Sequence, residues 1–129
     1  MLTREEIFQK KDIQTETVNI PQWGGDVLVR GLTGKERDDF EQSIIVTKGK
    51  KEQVDRSNAR AKLCALSCVD EEGNLLFKSN DIEALGKKSA GALDKIYEVA
   101  SRLSGLSDTD MDDLVGNSES DQSDNSTSD

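Results

Sequence analysis

Cys64 and Cys68 are the only thiols in the chain, and there is no histidine. The lack of histidine removes Ser-His and Cys-His nucleophile pairs and any metal site that uses imidazole. Four residues apart, the two cysteines share one face if their apolar run is helical, which is poor geometry for a disulfide. They read as small buried hydrophobes in a reducing compartment. A phosphate-cradling loop is also missing. Gly34-Lys35 and Gly49-Lys50 have no glycine five positions earlier, and in Gly86-Lys87-Lys88-Ser89 that place is Asp81. Asp70-Glu71-Glu72-Gly73-Asn74 has the outline of a calcium loop without its alternating ligands or closing glutamate, so it reads as a solvated turn. Nothing singles out one carboxylate pair for acid–base work. The chain therefore reads as non-enzymatic, with no catalytic, cofactor-binding or metal-binding residue.

Trp23 is the residue most open to a functional role. Beside Gly24-Gly25 it is either an exposed contact for a partner or a lid over a small core. With three Phe, one Tyr and one Trp in 129 residues, the core reading is favoured. Met111, Leu114 and Val115, on a short amphipathic turn capped by Ser107, are the other candidates for partner binding. The basic run Lys48-Gly49-Lys50-Lys51 reads as a solvated loop.

The elements that must position these residues follow from spacing. Thr3-Arg4-Glu5-Glu6 fits a capping box, and the spacing predicts a short helix behind it held by Ile7 and Phe8. Val18 and Ile20, then Pro21 to Gly25, then Val27 to Val29 predict a β-hairpin over about 16–30. Thr33-Gly34-Lys35-Glu36 is a second capping box, and Phe40, Ile44 and Ile45 predict a helix over about 34–46. Ala59, Leu63 and Leu66, thickened by Ala61, Cys64, Ala65 and Cys68, predict a central core helix over about 53–68. Leu75-Leu76-Phe77 suits a short strand or packing segment. A brief helix follows Asn80 and ends at Gly86. Ser89 caps a helix over about 89–104 with the stripe Leu93, Ile96, Tyr97, Ala100 and Leu103. The expected fold is α+β, a mainly helical small domain over residues 1–115 with one N-terminal β-hairpin. Residues 116–129 hold no apolar side chain and are expected to form a disordered acidic tail.

The net charge of −9 is not spread evenly. Residues 107–129 hold eight acids and no base, whereas residues 1–106 hold eighteen acids against seventeen bases. A near-neutral body without a surplus of Lys and Arg argues against nucleic acid as a ligand. No stretch of about 18 apolar residues predicts a membrane span. Acids stand at the N-terminus where a signal peptide has bases, which places the expected protein in the cytoplasm.

The series Val18-Asn19-Ile20-Pro21-Gln22-Trp23-Gly24-Gly25 through Leu32-Thr33-Gly34-Lys35-Glu36-Arg37 resembles the opening of tail assembly chaperones from long, non-contractile-tailed bacteriophages and related prophages. Asp70 to Phe77 and Ile82 to Ser89 also look like that family, and the resemblance covers roughly residues 15–117. It implies an assembly factor of the host bacterial cytoplasm that binds the phage tape measure protein and assists tail tube assembly, with tape measure and tail tube proteins as partners. A homo-oligomer is compatible with it. The family brings no catalytic residues to transfer. The competing expectation is a structural phage or prophage protein, such as a tail tube or head–tail connector component, retained in the virion.

Overall fold

The computed structural model describes residues 1–106. Met111, Leu114, Val115 and the expected boundary at residue 116 lie outside the described residues.

The first hairpin is built as the punctuation demands. β1 (Thr15–Ile20) and β2 (Gly25–Arg30) pair antiparallel, with Ile20 opposite Gly25 and Thr15 opposite Arg30. Between them Pro21–Trp23 form a single 3₁₀ turn opened by Pro21. Gly24 closes it at φ 72°, a left-handed conformation in which any Cβ is strained. Period-two alternation turns Val18, Ile20, Val27 and Val29 toward the core. A third strand, β5 (Cys68–Val69), pairs antiparallel with the other edge of β2, giving the order β1-β2-β5.

On the inner face lies the longest helix, α5 (Ala90–Leu103), capped by Ser89, whose hydroxyl accepts the Ala92 N–H. It buries Ala92, Leu93, Ile96, Val99 and Ala100. Arg102 at its end pairs with Glu16 on β1 at 2.8 Å. The approach near this end is close: a Cβ at Gly31 would lie 2.5 Å from the Leu103 carbonyl oxygen. Behind α5 packs α3 (Ala59–Ser67), whose small residues Ala59, Ala61, Cys64 and Ala65 are all buried. α4 (Ile82–Leu85) adds Leu85 to the same core, and α2 (Gly34–Ser43) adds Phe40.

The fold is α+β, but it is not a mainly helical domain with one hairpin. Among the described residues there are five α-helices and five strands in two sheets. The helix expected over 34–46 stops at Ser43, because Ile44-Ile45-Val46-Thr47 is an unbroken β-branched run that gains more from extended pairing than from helix. β3 (Ile45–Lys48) pairs with β4 (Lys51–Val54) across a two-residue turn at Gly49-Lys50, Gly49 taking φ 66°. The helix expected over 53–68 accordingly loses Gln53 and Val54 to β4 and residues 55–58 to the connection after it, and starts at Ala59. It also ends one residue early, where Cys68 enters β5.

Candidate partner-binding surface

Arg30 ties three elements together at the end of the sheet where β1 begins. Its Nη1 and Nη2 donate to both carboxylate oxygens of Glu36 on α2 at 3.1 and 2.9 Å, and Nη2 also donates to the Leu66 carbonyl of α3 at 3.0 Å. This bidentate pair is half-buried and holds the Glu36 carboxyl below the usual carboxylate range; burial opposes that shift and the Thr33 N–H reinforces it. The cysteines are buried in the opposite sense. Burial raises both thiols, Cys68 to about 12, with the neighbouring Cys68 and Asp94 charges adding to the effect at Cys64. Thiols so disfavoured from ionising are inert packing groups.

Uncovered apolar surface is concentrated in two places. α1 (Arg4–Gln9) is the first. Thr3 and Glu6 form the expected capping box, the Thr3 hydroxyl accepting the Glu6 N–H at 3.2 Å and the Glu6 carboxylate accepting the Thr3 N–H at 2.9 Å. Yet α1 buries none of its residues: Ile7 is 52% and Phe8 72% exposed, and Leu2 just before it is 65% exposed. The expectation that Ile7 and Phe8 hold this helix to the body is corrected. Residues 10–14, which join α1 to β1, are exposed as well, and the Gln14 carbonyl accepts the Gly31 N–H at 2.9 Å. The Arg4 guanidinium stacks over the Phe8 ring at 4.8 Å, a local contact at the surface.

The second place is a groove of about 360 Å³ beside β5, lined by Ala65, Leu66, Leu75, Phe77, Lys78, Ser79 and Ile82. Register brings one of these residues, Leu75, up against β5. Thr17, Leu28, Val69 and Leu75 lie side by side across the outer face, since Val69 bridges to Leu75. The turn before Leu75 is built by Asp70, whose carboxylate accepts the N–H groups of Glu72 and Asn74, both at 2.9 Å. That carboxylate is committed to the turn.

Trp23 is half-buried, packed against the core from the 3₁₀ turn, so one residue carries both the lid and the surface reading. Lys48, Gly49, Lys50 and Lys51 are exposed at the tip of the second hairpin. Among the described residues no group of three or more metal-ligating side chains converges, and no helix is long and apolar enough to cross a membrane.

Compared with known protein families, the chain matches the phage tail assembly chaperones over residues 4–123. It belongs to that family. No curated protein and no solved structure matches it. For a phage tail assembly chaperone the partners are phage tail proteins, and the matched range takes in α1, both hairpins and the groove. Sequence reasoning offered Trp23, Met111, Leu114 and Val115 as candidates and did not foresee that Ile7, Phe8 and the groove are left uncovered. Helical spacing announces that an apolar face exists without saying whether the chain itself covers it.

Proposed function

We propose that this phage tail assembly chaperone acts in the host bacterial cytoplasm as a non-enzymatic holder of the tape measure protein and assists tail tube assembly. The observation that carries this reading is a capped helix, α1, with Ile7 and Phe8 mostly exposed and nothing of its own buried. A holder needs adaptable apolar contacts on a soluble body, and an amphipathic turn offered to a long helical partner supplies them. Leu75 and Leu76, each 47% exposed, extend the same kind of surface to the groove. Trp23, Met111, Leu114 and Val115 are assigned to the same task, Trp23 through the half of its ring that the core leaves free. The near-neutral body and acidic C-terminal segment keep the loaded complex dispersed by solvation and repulsion.

The test is co-expression with the tape measure protein of the same genome, followed by affinity capture. The unaltered chain should keep the tape measure protein soluble and bring it down. Ile7→Asp with Phe8→Asp should abolish capture, and Trp23→Ala should weaken it, both with helical circular dichroism unchanged. A capture that survives the α1 substitutions removes α1 from the reading. Loss of dichroism together with capture in Trp23→Ala makes that residue core alone. Recovery of the chain at many copies in purified particles would favour the structural virion protein instead.

A further inference from the structure

The groove beside β5 has a mostly apolar lining, in which Leu66, Phe77 and Ile82 are half-buried and Leu75 is 47% exposed. It offers side chains rather than backbone. One edge of β5 pairs with β2, and on the other the Leu76 N–H donates to the Cys68 carbonyl at 3.0 Å. With no edge of β5 open to an added strand, a fitting occupant presents a few apolar side chains from one face of a helix.

The chain around the groove is acidic. Residues 70–83 hold five acids and one base, Lys78. Two of the carboxylates are tied to the lining: Asp81 accepts the Lys78 N–H, and Asp70 accepts the N–H of Asn74, next to Leu75, both at 2.9 Å. Glu83 directly follows Ile82, and Glu71 and Glu72 stand in the turn before Leu75. These three glutamates are exposed and enter no ion pair among the described residues. Nearby cations do not offset them. Arg30, which reaches the Leu66 carbonyl, is matched by Glu36, and Lys87 and Lys88 come after α4 has ended.

This charge discriminates between occupants. Residues 107–129 hold eight acids and no base, and residues 1–12, which include α1, balance three bases with three acids. A second copy of the chain brings a net charge of −9. None of these gains from an acidic rim, whereas a cationic segment does.

We propose that the groove is the docking site for a cationic amphipathic helix of a partner. Apolar residues at i, i+3 and i+4 cover Leu66, Leu75, Phe77 and Ile82, and flanking Lys or Arg side chains meet Glu71, Glu72, Asp81 and Glu83. The proposal rests on the reading of this surface as a holder of the tape measure protein, and it adds which stretches of such a partner the groove selects.

The experiment is an NMR titration of the isotope-labelled full chain at ~0.15 M salt with synthetic helical peptides of about four turns. The first has a Leu face and Lys elsewhere, the second replaces each Lys by Glu, and the third keeps Lys but replaces each Leu by Ser. The first should shift the amides of Leu66, Leu75, Phe77 and Ile82 to saturation, and the other two should leave them in place. Glu71→Lys with Glu83→Lys should weaken the first peptide roughly tenfold. Asp121→Lys with Asp124→Lys makes the same change in net charge away from the groove and should alter its affinity less than about twofold. Equal weakening by the two pairs overturns the proposal, as does binding of the second or third peptide as tight as the first. Shifts on α1, the second hairpin or residues 107–129 in place of the groove also overturn it. So do groove resonances that move on dilution without peptide, because they assign the occupant to a second copy. Peptide selection without capture of the tape measure protein upholds the groove's preference and removes the tape measure reading, and capture without selection does the reverse.

Discussion

α1 and α2 open on the same signal and meet opposite fates. Each begins with a threonine whose hydroxyl accepts the N–H of a glutamate three residues on, while that glutamate reaches back to the threonine N–H. Each carries a phenylalanine further along. Phe40 on α2 is 1% exposed, whereas Phe8 on α1 is 72% exposed. The difference lies in what surrounds the helix. α2 follows directly from β2 through Gly31-Leu32 and is drawn onto the body by the Arg30–Glu36 pair, whereas α1 is joined to β1 by five exposed residues. Local hydrogen bonding decides where a helix starts, and connection and charge decide whether its apolar face is consumed. An apolar face that folding does not consume is available to a partner.

The largest effect that would break this contrast is on stability. Phe40→Ala removes a fully buried ring and should destabilise the chain by ~3–5 kcal/mol. Phe8→Ala should change stability by no more than about 0.5 kcal/mol while weakening capture of the tape measure protein. Urea denaturation of both variants checks the pair. A loss at Phe8 close to that at Phe40 would mean that α1 packs on the body.

How far these features were legible follows the same division. The first hairpin was readable because Pro21 and Gly24 punctuate it, and the helix starts were readable because capping is local. The second hairpin was not, because Phe40, Ile44 and Ile45 satisfy helical spacing as well as the β-branched run Ile44 to Thr47 satisfies a strand. β5 was hidden in the last turn of an apolar helix, since Cys68 serves either state. The groove joins Leu66 on α3 to Leu75 and Phe77 beyond a turn and to Ile82 on α4, and no periodicity relates residues that only folding brings together. Trp23 showed its place in the turn but not its half-burial, which depends on the core below it.

The middle-sized effect concerns the pair that draws α2 in. Glu36→Gln should cost about 1–3 kcal/mol near neutral pH, as a charge-assisted, half-buried contact is weakened. The Arg30 guanidinium holds the Glu36 carboxyl below its ordinary value of 4.5. A lowered folded value means the unfolded chain takes up the proton first, so the contribution is complete above that ordinary value and disappears as pH falls through the lower one. The difference between Glu36→Gln and the unaltered chain should therefore be constant above about pH 5 and shrink on acidification. Urea midpoints measured from pH 7 down to 3 check this. A difference that does not narrow would show that Glu36 acts through its shape and its Thr33 contact, with its charge contributing nothing.

The smallest effects separate the two caps. Thr33→Ala should lower global stability by ~1 kcal/mol, because α2 is part of the cooperative core. Thr3→Ala removes the same hydrogen bond but should leave the global urea midpoint unmoved. A six-residue helix is far below the length at which isolated helices persist, so α1 has little besides its cap to hold it. The cost of Thr3→Ala should appear locally, as faster amide exchange at Glu6 and Ile7, and with it a weaker grip on the tape measure protein. Two equal midpoint shifts would place α1 inside the cooperative unit, and its exposed face would then have to be attributed to the fold.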